Sequence, residues 1–172
     1  MVMAVMAVVV FASGCTSNVY KTYNSNGISF NYPSSWDELS PDQLNLKVQG
    51  NTEVLAAVVD PNSVQNNNYQ ILAFFQQLTT TTSLADATAA NVADIQSAGG
   101  QLISEKETTI NGLSAKDITY TISTTSGVAK TERLVALQDG NNLYYIVCSA
   151  PTPDFNAQKS NFDLIVNSFT IE

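Results

Sequence analysis

The chain has 172 residues, a net charge of −8, 13% charged residues, two cysteines and no histidine. The acidic balance argues against nucleic acid or an anionic lipid surface as a partner, because both need Lys and Arg to neutralise phosphate. The missing histidine removes Ser-His-Asp and Cys-His nucleophiles, the usual zinc sets and the commonest general base, and with them most hydrolases.

The chain opens with MVMAVMAVVVFASGC. Val2 to Ala12 is apolar without a break, and as a helix it would reach roughly 16 Å, too short for a hydrocarbon core of about 30 Å. That length suits the apolar region of a signal peptide. Ala12-Ser13-Gly14-Cys15 resembles the bacterial-type lipobox, whose small residues let a peptidase cut just before a cysteine that receives lipid. Residues 1–14 are therefore expected to be a removed signal peptide, Cys15 the lipid attachment site, residues 15–25 a lipidated polar tether and residues 26–172 a single domain. Ala12 stands where lipoboxes usually carry Leu, and no Lys or Arg precedes Lys21; the missing basic residues are expected to mean either that the true signal starts upstream or that the host uses a relaxed form of it. One acyl chain gives only marginal binding, so a second membrane contact is also expected. With these features the protein is expected on the outer face of the cell membrane. With Cys15 so used, Cys148 is expected to be a buried thiol with no disulfide partner.

Ile28, Phe30 and Tyr32 alternate with polar residues as a half-buried strand that Pro33 stops. Ser40-Pro41-Asp42-Gln43 predicts a short helix start. Val54 to Asp60 and Tyr69 to Gln77 predict two antiparallel neighbours joined through Asn66-Asn67-Asn68. Thr79 to Ser83 is a hydroxyl-rich loop, and Ser83 with Asp86 imitates a capping box before an amphipathic helix that ends at Gly99-Gly100. Four strands follow, Leu102 to Ile110, Leu113 to Thr124, Lys130 to Gln138 and Leu143 to Ser149. Asn111-Gly112, Ser126-Gly127 and Asp139-Gly140 mark their turns. Phe155, Phe162, Ile165, Val166 and Phe169 recur at helical spacing and predict a closing helix laid on the sheet, with Thr170-Ile171 as a final short strand. The order gives an α+β domain with helices segregated from a mostly antiparallel sheet.

Gly27-Ile28-Ser29-Phe30-Asn31-Tyr32-Pro33-Ser34-Ser35-Trp36 resembles the GxSFxYPxxW opening of the PsbP family. Asn111-Gly112, Asp139-Gly140 before Leu143-Tyr144-Tyr145, and Val166-Asn167-Ser168-Phe169 are similar to that family's later motifs, in the same order. The resemblance implies an αβα sandwich with a central, mostly antiparallel sheet of about six to seven strands and two main helices, a fold shared with Mog and DcrB-type proteins. It also implies that Trp36 packs under the sheet edge and that Phe169 seals the core. The plant family's basic docking surface and histidine metal sites have no counterpart in an acidic chain without histidine, so the resemblance implies fold far more than function.

The remaining candidates are sparse. Asp37, Glu38 and Asp42 could hold a hard cation such as Ca²⁺, against a solvated helix-start cluster. Glu105 and Glu107 share one strand face and need only solvent. Tyr120, Tyr144 and Tyr145 are expected to be core residues, with a ligand groove as the competing reading. No Walker loop, dinucleotide fingerprint or CxxC is present. The combined expectation is a non-catalytic, membrane-anchored, monomeric PsbP-like lipoprotein, without cofactor or nucleic acid, that binds or assists an envelope protein complex. The alternatives are a small-ligand or Ca²⁺-binding extracytoplasmic domain and an enzyme working with carboxylates alone.

Overall fold

The computed structural model describes residues 19–40, 43, 51–65, 68–123 and 127–172. The expected alternation is realised in β2 (Ile28–Pro33), where Ile28, Phe30 and Tyr32 are buried. β2 pairs on one side with β1 (Tyr20–Ser25) and on the other with β12 (Thr170–Ile171), both antiparallel, in a three-stranded sheet. Asn26 and Gly27 turn the chain between β1 and β2, both with positive φ of 53° and 72°. Asn and Gly are the residues that tolerate such a turn.

β1 corrects the expected tether, because residues 20–25 belong to the fold. Its sequence, YKTYNS, hides this: an edge strand with one face in solvent buries too little to show apolar alternation. Tyr23 carries most of the apolar packing, being the half-buried residue of the strand. Its ring stacks on Phe30 with centroids 5.0 Å apart, and its hydroxyl donates to the Leu55 carbonyl at 3.1 Å.

The larger sheet has seven strands in the order β3 (Asp37–Leu39), β4 (Thr52–Val59), β7 (Leu72–Thr79), β11 (Asn142–Pro151), β10 (Ala129–Asp139), β9 (Leu113–Ser123) and β8 (Gln101–Ile110). Every pairing in it is antiparallel. A small hairpin of β5 (Val64–Gln65) and β6 (Asn68–Tyr69) joins β4 to β7. β3 places Asp37 and Glu38, whose competing reading is a solvated helix-start cluster, on a strand; Pro41 and Asp42 of the expected helix start fall outside the described residues. Where that start borders on them, Gln43 Oε1 accepts from the Ser40 amide and hydroxyl, each at 3.0 Å.

Helix α1 (Leu84–Ser97) covers one face of the large sheet. Ser83 caps it, its hydroxyl accepting from the Asp86 amide at 3.1 Å and donating to the Asp86 carboxylate at 2.7 Å. The exit is set by packing. A Cβ at Gly100 would lie 2.6 Å from Ile95 Cγ2 and 2.8 Å from the Ile95 carbonyl, so the chain can turn onto β8 only with glycine there. Beneath α1 lie Ile118, Leu134, Leu143 and Tyr145.

The three-stranded sheet and helix α2 (Lys159–Ser168), which follows a 3-10 turn at Phe155–Gln158, cover the opposite face. This layer holds the larger core, including Phe30, Trp36, Phe75, Phe162 and Phe169. Trp36 meets the edge of Phe162 at 6.2 Å, and Ser168 Oγ accepts from the Asn31 amide at 2.8 Å, tying the helix end to β2. The αβα arrangement expected from the sequence is therefore the observed one, with all registered strand pairs antiparallel.

An ionic clasp holds α2 to the large sheet. Arg133 on β10 donates Nε and Nη2 to the two carboxylate oxygens of Asp117 on β9, at 3.0 and 2.8 Å, and Nη1 to Asp163 on α2 at 2.7 Å. Burial of Asp117, whose side chain is 5% exposed, requires such pairing. Burial opposes charge on Asp163, but hydrogen bonds from Lys159 and Arg133 outweigh it and hold its carboxyl below the ordinary value near 3.8. Its contribution to stability is therefore complete above the unfolded-state pKa and lost as pH falls through the lower folded-state value. Urea melts should show wild type more stable than Asp163→Asn at pH 7, with the difference closing in strong acid below the ordinary carboxylate range; a difference independent of pH would contradict the clasp. Phe169→Ala should cost about 3–5 kcal/mol in the same assay, because Phe169 is 1% exposed and fills the space between sheet and helix.

Candidate functional site

Asp37 and Glu38 are consecutive exposed residues of β3, and neighbours on a strand point to opposite faces, so the structure does not bring them together. Glu38 Oε1 accepts a 2.6 Å hydrogen bond from the Tyr32 hydroxyl. Burial first, and then this carboxylate, push the Tyr32 pKa up. Asp42, like Cys15, lies outside the described residues. Among the described residues no three Cys, Asp or Glu side chains are grouped as a metal site would need.

Glu105 and Glu107 lie on one face of β8 and both reach Lys116 of the neighbouring strand, at 3.4 and 3.2 Å. They form an ion-pair ladder beside the sheet edge, where charged side chains discourage pairing with another chain. Cys148 is fully buried and has no disulfide partner. Burial pushes its thiol up to about 12, which leaves it without thiolate character at neutral pH.

The three tyrosines divide. Tyr144 points into the aromatic core, 6.2 Å from Phe169. Tyr145, one residue on, faces the other side of the sheet, as alternation demands, and with Tyr120 lines a groove of about 340 Å³ beside α1. Gln76, Asn91 and Asp94 supply its polar rim. On the same face Tyr120 donates to Glu132 at 2.7 Å and Ser149 donates to the other Glu132 oxygen at 2.9 Å. Burial, then the Glu132 charge and this hydrogen bond, push the Tyr120 pKa up, so its hydroxyl stays protonated.

The densest group of charges is elsewhere. A pocket of about 250 Å³ between β8, β9, β10 and the start of α2 gathers Lys106, Arg133 and Lys159 with Asp117 and Asp163. Three of the chain's 7 basic residues meet there. Lys106 Nζ lies 3.2 Å from Asp117, and Lys159 Nζ 2.6 Å from Asp163. Sequence reasoning passed over this group. The available signal was phase: Arg133 falls in step with the buried Val135 and Leu137, and Asp117 in step with the buried Ala115. Charges placed on a core-facing strand position need partners, and here they find each other.

Comparison with known proteins agrees with this architecture. The family model described as PsbP-like protein matches residues 12–171. No curated protein matches the chain in sequence. The solution structure of cyanobacterial PsbP (CyanoP) from Synechocystis sp. PCC 6803 superposes with a TM-score of 0.65 at 14% identity, covering 92% of this chain and 96% of its own. LpqN of Mycobacterium tuberculosis, described as involved in cell envelope biogenesis, gives 0.60 at 16% identity, covering 88% and 90%. The Ran-binding protein Mog1p of Saccharomyces cerevisiae gives 0.56 at 14% identity, covering 88% and 95%. At these identities the likeness is one of fold, while the family match spans nearly the whole chain: this chain belongs to the PsbP-like protein family.

Proposed function

We propose that the protein is a non-catalytic binding or accessory module of an envelope protein complex, anchored by lipid on Cys15 to the outer face of the cell membrane. The observation that carries this reading is the position of β1. Its first residue, Tyr20, follows Cys15 by only five positions. Fully extended, that stretch reaches about 17 Å, so a lipid on Cys15 would hold the domain close to the membrane surface. Val19 and Tyr20, which are 76% and 41% exposed, stand at the tethered end and are suited to the second membrane contact that a lipid anchor needs.

The side chains support binding rather than catalysis. Cys148 is sealed in the core, and the clasp carboxylates Asp117 and Asp163 are committed to Arg133 and the lysines. The solved relative tied to cell envelope biogenesis in Mycobacterium tuberculosis agrees with an extracytoplasmic setting. Fractionation of cells expressing wild type and Cys15→Ser should put the wild type with membranes and release the variant into the soluble fraction. Equal membrane retention of the two would contradict the lipid anchor. Crosslinking of the anchored wild type in its own membrane should then capture an envelope protein that Cys15→Ser fails to capture.

A further inference from the structure

We propose that the pocket between β8, β9, β10 and the start of α2 binds a small organic carboxylate, with its anionic head on Lys106, Lys159 and Arg133 and its apolar body against Phe155. The inference rests on the pocket's own chemistry and stands apart from the anchor.

Each of its carboxylate oxygens already has a cationic partner, and its donors keep free N–H groups. Asp117 Oδ1 accepts from Arg133 Nε, and Asp117 Oδ2 accepts from Arg133 Nη2 and pairs with Lys106. Asp163 gives one oxygen to Arg133 Nη1 and the other to Lys159. All four carboxylate oxygens are thus engaged. A guanidinium has five N–H groups and an ammonium three. Among the described residues Arg133 uses three of its five, and Lys106 and Lys159 have one ionic partner each.

Three cations against two carboxylates leave a positive surplus in a chain whose net charge is −8. The two lysines keep mobile heads, with side chains 64% and 70% exposed, while Arg133 is fixed with 14% exposed. A fixed planar fork beside two adaptable ammonium groups suits a planar oxyanion. The half-buried Phe155, backed by Phe162 at 5.5 Å, adds an apolar wall. At about 250 Å³ the space lies just below the range that takes drug-sized ligands, which favours a small acid.

The test is a titration of the nitrogen-labelled full domain, followed by two-dimensional amide and Arg Nε NMR, with sodium benzoate as probe. Inorganic phosphate and sodium chloride at matched ionic strength are the comparison arms. Benzoate should give saturable shifts centred on Arg133 Nε, Thr119 and Asn156, and the Lys106→Met, Lys159→Met double variant should weaken binding at least tenfold. Lys116→Met, on the opposite face, should leave affinity unchanged. Both lysine heads are exposed and Arg133 still pairs with both carboxylates, so the double variant should stay folded and melt cooperatively, only slightly below wild type. Absence of saturation, equal shifts from chloride, or undiminished binding by a folded double variant would overturn the site. Inorganic phosphate binding as tightly as benzoate would overturn the assignment to an organic carboxylate.

Discussion

Phe30 lies almost flat on Phe75, with ring centroids 3.9 Å apart and planes at 22°. This contact joins the two sheets, and the rest of the domain is arranged around it. Phe75 stands on β7, between β4 and β11, near the middle of the seven-stranded sheet. Its ring also stacks with Phe169, 5.8 Å away at 15°. β2, early in the described fold, and Phe169, near its end, therefore meet on one central side chain. Burial contributes about 1.5–3 kcal/mol per ring, and each aromatic pair about 0.5–1.5 kcal/mol more. Those contributions hold β2 in place, and β2 in turn positions β1, β12 and the end of α2.

The same contact gives the two faces of the molecule different characters. On one side lies the aromatic layer, and there Arg133 and its carboxylates reach from the sheet to α2 beside a cationic pocket. On the other side α1 lies over β8, β9 and β10, and a groove remains along its flank. Because β1 packs through Tyr23 onto Phe30, the first strand of the described fold begins at Tyr20, only five positions after Cys15. With the proposed lipid on Cys15, so short a leash would restrict which surfaces could face the membrane, and so which could meet a partner held in it.

Much of this was legible because buried strands and capped helices write strong local patterns. Ile28, Phe30 and Tyr32 show period two; Ser83 and Asp86 show a cap; Asn111-Gly112 shows a turn; Phe162, Ile165 and Val166 show one helical face. The Trp36 and Phe169 positions followed from resemblance and are found buried, as expected. What was missed is long-range by nature. β1 is polar because its outer face meets water, so only pairing with β2 reveals it. β3 is three residues long and depends on β4 for its existence. The clasp joins residues 117, 133 and 163, and no local pattern brings them together. Likewise Tyr144 and Tyr145 look alike in sequence, but strand alternation sends one into the core and the other toward the groove.

If Phe30 on Phe75 binds the two sheets into one cooperative unit, neither sheet can open without the other. Native-state amide hydrogen exchange on the wild-type domain reads this directly. The most protected amides of β2 and of β11 should exchange with the same opening free energy, equal to that of global unfolding. A β2 that opens at clearly lower free energy while β11 stays protected would contradict this description, and would make the small sheet a loosely attached cover instead of half of the core.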